Sequence, residues 1–545
     1  MELKGSLVAL VVQLPAQDSE RIRDTHGLIR LEEKQKSTKT ETMSLIANLV
    51  NAVLENLTTS LVFLLVFLVL WWYFKPSPYR LPPSPPCFPF FGNTSIYKAA
   101  TIGDDDEFEL YLKYKTPITY RNFFGLHAML LHKYDLVKEF FSSDKYTDRP
   151  HLAIDEFVFR GLVDVSGPRW KEQRRFALST LRDFGLGKNE IELKIQEEIS
   201  SELYAAFDEK NGAPFNMNSL MGMAISNIIC SMVFGHRFQY DDTTFQKILR
   251  LQNENTVYIQ WVFLGSFVPF SDWIPGDIFC KKRLINNLDE MKTKIFRPEF
   301  KKHMEKYDPE HINDFTDAFI KEMKQREENG DTEHWFTEQQ LEWNIEDLFA
   351  AGTETTSNTM RWVFLRMLHN PEVQERVRQD IHRVIGKDRL PSMKDRLDLP
   401  YIEAVLLECQ RKHHVVPYGI SHSNLDDNPI EFKGYIFPPS TTTAMNVYTL
   451  HNDPEYWHEP EKFNPDRFIR EDGKFQKDEH VVTFSVGKRS CLGESLARQE
   501  LFLFFTGILQ RYKITLPPGD PLPSMERVPG VTLSPKPYNV CFVRD

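Results

Sequence analysis

Cysteine is scarce in this chain of 545 residues: six stand at positions 87, 230, 280, 409, 491 and 541, and no two form a CxxC pair. That scatter suggests neither a disulfide framework nor a structural zinc site, and it fits a reducing compartment. Phosphate-cradling loops are missing too. Neither GxxxxGKS/T nor GxGxxG occurs, so the chain has no evident site of its own for a nicotinamide or flavin nucleotide. Positive charge is in the minority, with 66 Lys and Arg against 77 Asp and Glu for a net −11, which argues against bulk nucleic-acid binding. Length alone, at about 150 residues per domain, would suggest three or four domains. No Pro/Ser/Gly-rich linker follows residue 100, however, so one large domain is expected, with 41% hydrophobic and 13% aromatic residues to fill its core.

What is present begins with an uncharged run, LTTSLVFLLVFLVLWWYF, over residues 57–74. At about 1.5 Å per residue it covers most of a bilayer core of roughly 30 Å, so a single transmembrane helix is expected there. Trp71, Trp72 and Tyr73 cluster at one end as an interfacial belt, followed by Lys75 and Arg80. The positive-inside bias then puts the rest of the chain in the cytosol. The proline-rich stretch 75–92 reads as an extended hinge between the anchor and a catalytic body at 93–545. Residues 1–42 are an extension of unassigned role, too densely charged after LVALVVQL to span, and Met43 could serve as the working start.

Several motifs carry chemistry. Thr337 with Gln340 reads as a capping box opening a helix of about 30 residues that Asn370-Pro371 closes. In its middle, AAGTETT places Gly352, Thr353, Thr355 and Thr356 where each is worse than alanine by roughly 0.5 to 1 kcal/mol. Something must offset this: either a packing notch against a neighbouring helix, or a large planar ligand lying over the small residues with Glu354 and Thr355 organising protons. Glu408 and Arg411 share a helix face, and Arg467 of FNPDRF could complete a charge network with them. In WKEQRRFALSTLRDFGLGK, Trp170 and Arg174 lie one turn apart and could reach an anionic group, with His422 as a third donor. Lys171, Arg175, Arg182 and Lys188 could form a docking surface for an acidic protein. Finally FSVGKRSCLG, residues 484–493, sets Cys491 between a Gly-Lys-Arg turn and a second glycine.

Taken in order, WKEQR, AGTETT, ECQR, NPDRF and FSVGKRSCLG resemble the haem-thiolate monooxygenases of the cytochrome P450 family, over roughly residues 80 to 545. Finer texture (KEQRRF, LRDFGLGK, ISNIICSMVFG, DLFAAGTETTS) is most similar to the microsomal family-2 group near its fatty-acid epoxygenases and hydroxylases. Ser421 stands where that group usually has proline before His422, and KHHVV at 412–416 is an unusual variant of a pocket-lining stretch.

The resemblance implies a mainly α fold with small β-sheets, and haem b held by Cys491 as axial thiolate. It implies Gly487, Phe484 and Arg489 in the cysteine loop, Trp170, Arg174, His422 and Arg489 toward the propionates, and Ala351 over the distal face. Glu354 and Thr355 become the proton-delivery pair, and Glu408, Arg411 and Arg467 a structural network. O₂ would be split between a lipophilic substrate and water, with electrons from a membrane-bound NADPH-cytochrome P450 reductase, or cytochrome b5, at the endoplasmic reticulum. No nucleic acid is expected. The substrate pocket would draw on Phe157, Phe159, Ala351, Val415 and Val416, and Val257–Phe270 would either dip into the membrane or lie in the core. Two other classes compete: a haem-thiolate isomerase or dehydratase that works without O₂, and a haem carrier or sensor without turnover. Oxygen and NADPH consumption would separate them.

Overall fold

The computed structural model describes residues 43–52, 55–74, 78–84, 93, 105–123, 126–150, 160–185, 189–266, 268, 271–331, 333–424, 426 and 428–544. The extension 1–42, most of the hinge, Cys87, Phe157, Phe159 and Lys188 lie outside them. The chain divides into two compact units, Met1–Pro76 and Ser77–Asp545.

In the first unit the apolar run forms the helix Leu57–Phe74. Most of its leucines, valines and phenylalanines from Leu57 to Leu70 stand exposed, Phe63 at 71%. Among the described residues no single helix is long and apolar enough to cross a membrane alone; the helices Met43–Ala52 and Leu57–Trp71, bent by 94° between them, pass that test as a pair.

The second unit is mainly α with small sheets, as expected. Strand Ile118–Phe123 pairs antiparallel with Leu126–Leu131, which pairs in parallel with Thr442–Met445. Three two-strand ribbons complete the β-structure of the described residues. The principal core gathers around the helix Glu338–His369, packed against the helices Asn218–Val233 and Glu494–Arg511. Thr337 caps the long helix as the sequence suggests, its hydroxyl accepting from the Gln340 N–H at 3.1 Å. The reciprocal half of the box is absent, because the Gln340 side chain turns to Asn344, at 2.8 Å, and to Arg169, at 2.7 Å.

The AAGTETT stretch resolves residue by residue. A Cβ on Gly352 would overlap Ile229 of the neighbouring helix, and Thr353 bonds Ser226 on that same helix at 3.0 Å. These two residues form the packing notch. Ala351, by contrast, is exposed and Thr355 partly open, although buried side chains flank both along this helix. The segment Val257–Phe270 also divides: Ile259 and Val262 pack on Leu284 and Leu288, while Trp261 is exposed.

Candidate functional site

Cys491 sits in a loop that its own sequence shapes. Gly487 adopts φ +78°, and a Cβ there would overlap the Phe141 carbonyl, so only glycine lets the turn pass so close to that backbone. The turn then closes through Ser490 N–H to the Gly487 carbonyl, at 3.2 Å, and Cys491 N–H to the Phe484 carbonyl, at 2.9 Å. The Phe484 ring lies 4.9 Å from the Arg498 guanidinium. The helix Glu494–Arg511 starts directly after, and the N–H groups of Gly493 and Glu494 point at the Cys491 sulfur. Cys491 has open surface, yet enough protein surrounds it that burial pushes its thiol pKa up; those N–H groups and Arg174 pull the other way. A thiolate there needs a further positive partner, such as a metal ion.

Beside this loop three guanidiniums converge with no ion pair to a carboxylate among the described residues. Arg174 donates to the Ser490 carbonyl at 2.6 Å, tying the helix Gly167–Asp183 to the cysteine loop. Arg489 donates to the carbonyls of Thr147 at 2.8 Å and Val165 at 2.6 Å, and its guanidinium lies 3.8 Å from the Trp170 ring. Arg149, which sequence reasoning missed, donates to the carbonyls of Val163, Ile420 and Ser421 at 2.9, 3.1 and 2.7 Å. Burial and then mutual repulsion push Arg489 down to about 8, with Asp148 and Asp164 the acids that act against it; burial takes Arg149 to about 10. The indole N–H of buried Trp170 has no acceptor among the described residues.

His422 stacks on Phe141 with ring centroids 3.9 Å apart, and its Nδ1–H donates to the Tyr146 carbonyl at 2.8 Å. Burial and then the Arg149 charge hold the ring well below its usual pKa. The neutral ring therefore carries its proton on Nδ1, and Nε2 donates to an anion only if a second proton binds with that anion.

The long helix is tied to this cluster through the backbone. Asp347, one turn before Ala351, accepts the N–H groups of Leu162 and Val163 at 2.6 and 2.9 Å, and the Val163 and Val165 carbonyls in turn receive the Arg489 guanidinium. Burial pushes the Asp347 carboxyl up to about 7. Sequence reasoning missed Asp347 too. Thr355 donates its hydroxyl to the Ala351 carbonyl at 2.7 Å. Glu354 is buried and accepts from Asn358 at 2.7 Å and Thr532 at 3.1 Å, so no hydrogen bond joins it to Thr355. Burial raises its pKa.

Glu408, Arg411 and Arg467 do meet. Arg411 grips Glu408 in a two-pronged pair at 2.7 and 2.8 Å, Arg467 adds a bond at 3.2 Å, and the Asn464 N–H a fourth at 2.9 Å. Arg411 also donates to the carbonyls of His451, Pro460 and Lys462, so the fully buried Glu408–Arg411 pair is satisfied on both sides.

A thiol under two helix-end N–H groups, three unpaired guanidiniums and a buried indole donor suit a metal ligand beside a dianionic group, the profile of haem with its two propionates. Comparison with known proteins agrees. The Cytochrome P450 family model matches residues 82–542. The chain is 38% identical to human Cytochrome P450 2J2 over 484 residues, covering 86% of this chain and 92% of that protein. It is 36% identical to Cytochrome P450 2C11 of Rattus norvegicus, covering 85% and 92%, and 36% identical to Cytochrome P450 2H2 of Gallus gallus, covering 88% and 96%. The chain belongs to the cytochrome P450 family, among relatives of its family-2 group. It is a monooxygenase of that family.

Proposed function

We propose that the protein is a membrane-anchored monooxygenase that places one oxygen atom of O₂ on a lipophilic substrate, fatty acids foremost, by hydroxylation or epoxidation. The observation that supports this best is the Cys491 loop with the convergent donors beside it. Haem b bound there supplies the oxygen-activating chemistry of the family. Cys491 holds it through the thiolate, which the Gly493 and Glu494 N–H groups stabilise. Arg149, Arg174, Arg489 and the Trp170 N–H receive its carboxylates, and His422 joins them by taking up a proton at Nε2. Ala351 offers a small side chain, so a flat ligand can approach the helix there. Thr355, whose hydroxyl already donates a hydrogen bond to the Ala351 carbonyl, keeps its lone pairs free to accept a hydrogen bond from water. Glu354 acts as a more distant proton store, reaching that water only when its carboxyl leaves Asn358 and Thr532.

Electrons come from an NADPH-cytochrome P450 reductase or cytochrome b5. On the helix Gly167–Asp183 the inner face carries Trp170 and Arg174, while Lys171, Arg175 and Arg182 are exposed on the outer face, which suits an acidic partner. The helix Leu57–Phe74 anchors the chain once in the endoplasmic reticulum membrane with residues 93–545 as the cytosolic catalytic domain. Trp273, Ile274 and Ile278, exposed beside Lys281 and Lys282 around a cavity of about 290 Å³, support a lipid-facing entrance.

The test is spectroscopic and then catalytic. Cys491→Ala should abolish the red-shifted Soret band of the reduced carbon-monoxide complex, and the parent, reconstituted with reductase, should consume NADPH and O₂ with product. Persistence of the band in Cys491→Ala would overturn the ligand. A parent that rearranges a peroxide without consuming O₂ would overturn the reaction.

A further inference from the structure

The segment just ahead of the anchor plays no part in the site above, yet its sequence is patterned. Residues 43–52, MSLIANLVNA, form the helix Met43–Ala52. At about 100° per residue, Met43, Leu45, Ile46, Leu49 and Val50 share an arc of about 160°, while Ser44, Asn48 and Asn51 lie together on the opposite side. None of the described residues covers the apolar arc: all five side chains are exposed, Leu45 at 69% and Leu49 at 68%. We propose that this helix lies flat in the membrane interface, as a foot at the end of the spanning helix Leu57–Phe74, with lipid as the partner of its apolar face. The inference rests on the reading of Leu57–Phe74 as a membrane anchor.

The corner between the two helices suits that arrangement. They are bent by 94°, and a helix at a right angle to a spanning segment runs along the membrane surface, not through it. The Asn56 N–H and its side-chain amide both donate to the Ala52 carbonyl, at 3.2 and 3.3 Å, which satisfies a carbonyl at the end of the first helix. The Asn56 carbonyl then accepts the Ser60 N–H at 2.8 Å and opens the second. Asn56 thus serves both helix ends. Glu55 stands exposed beside it. A carboxylate is expensive in hydrocarbon, so the corner belongs at the level of the headgroups.

Depth and composition agree with this placement. The 18 residues of the spanning helix, at about 1.5 Å each, reach about 27 Å, slightly short of a hydrocarbon core of roughly 30 Å, so Asn56 falls at its edge. A continued span would draw Asn48, Asn51 and Glu55 into hydrocarbon, whereas a flat helix leaves both asparagines in water and sinks only the apolar arc. The helix carries no lysine or arginine. Anionic lipid is concentrated in the cytoplasmic leaflet, and the proposed topology sets this helix on the opposite side, where apolar burial alone holds it. A foot of this kind fixes the depth of one end of the spanning helix and limits its tilt.

The experiment uses the full haem-loaded chain in phosphatidylcholine vesicles. Leu45, Asn48, Leu49, Asn51 and Phe63 are replaced one at a time by a ketone-bearing amino acid that is coupled to a nitroxide, so the native cysteines stay unlabelled. Spin relaxation by oxygen, which concentrates in lipid, and by a water-soluble nickel chelate then reads the depth of each label. Labels at 45 and 49 should favour oxygen over nickel about tenfold more than labels at 48 and 51, and should sit at one depth. The label at 63 should meet oxygen alone. Nickel access at 45 and 49 as free as at 48 and 51 overturns the foot. So does oxygen access at all four positions with 45 and 49 about 6 Å apart in depth, the mark of a continued span. Shielding of 45 and 49 from both reagents, with broadening between labels, overturns it in favour of a second copy of the chain. Position 63 separates the foot from the anchor: nickel access there overturns the anchor and the foot with it, whereas a shielded 63 beside nickel-exposed 45 and 49 overturns the foot alone.

Discussion

Substituting Glu408 by glutamine tests whether the buried charge network holds the body of the protein together. The carboxylate receives four hydrogen bonds, two from Arg411, one from Arg467 and one from the Asn464 N–H, and neither Glu408 nor Arg411 has any exposed side-chain surface. Glutamine has nearly the same shape but brings one acceptor oxygen and an NH₂ group, which would face the guanidinium of Arg411 donor to donor. Breaking a buried pair by removing one partner costs roughly 3 to 5 kcal/mol, set against a total stability of roughly 5 to 15 for a typical domain. The loss should therefore be visible even if much of the structure relaxes. Arg411 also binds the carbonyls of His451, Pro460 and Lys462, so the damage should spread to the segment leading toward the cysteine loop and lower haem retention. The assay is urea unfolding of the haem-loaded protein followed by the carbon-monoxide Soret band. Arg467→Lys, which alters a member that is 11% exposed, should cost much less. A Glu408→Gln protein within about 1 kcal/mol of the parent would refute the idea that this network sets the geometry.

Three further outcomes are expected. Lys171→Glu or Arg175→Glu should raise the reductase concentration needed for half-maximal turnover, with the effect shrinking as salt rises, because exposed charges are screened over about 8 to 10 Å near physiological ionic strength; an unchanged titration excludes docking there. His303 loses charge affinity to burial but gains more from Asp314, at 2.9 Å, which raises it to about 9. A raised folded-state pKa stabilises fully below the unfolded value near 6.5 and is lost as pH climbs through 9, so parent stability should fall across that window and His303→Gln should flatten the fall. Thr355→Ala should leave haem content and carbon-monoxide binding near normal while product per NADPH drops and peroxide release rises, since alanine suits a helix better; unaltered coupling would count against proton delivery.

How much of this was legible in the sequence depends on how far each partner lies along the chain. Glu408 with Arg411, Trp170 with Arg174 and the Cys491 loop are local patterns in which helical spacing or glycine placement carries the meaning. The structure pairs Glu408 with Arg411, carries Trp170 and Arg174 on one helix, and gives Gly487 the positive φ of a tight turn. Arg149 and Asp347 stayed hidden because neither belongs to a local pattern. Asp347 meets Leu162 across 185 residues and Arg149 meets Ser421 across 272. A lone Asp in a polar helix, or a lone Arg before proline, gives no sign of a backbone that the fold will bring to it. The half-formed box at Thr337 shows the converse: the pattern was present, but Arg169 and Asn344 competed successfully for Gln340.

The AAGTETT stretch shows why a packing reading and a ligand reading need not exclude each other. A helix presents successive residues about 100° apart, so small residues in a row serve different neighbours. Gly352 and Thr353 turn to Ile229 and Ser226, and a bulky side chain at 352 would push those helices apart. Ala351 and Thr355, four apart and linked by the Thr355 hydroxyl, share another face that remains open. The poor helix formers thus have two separate compensations. Close helix packing offsets Gly352 and Thr353, and in the proposed function room for a flat ligand beside its hydroxyl accounts for Thr355. Perturbations should therefore separate: enlarging Gly352 should lower stability wherever it is measured, whereas Thr355→Ala should alter coupling and leave stability nearly alone.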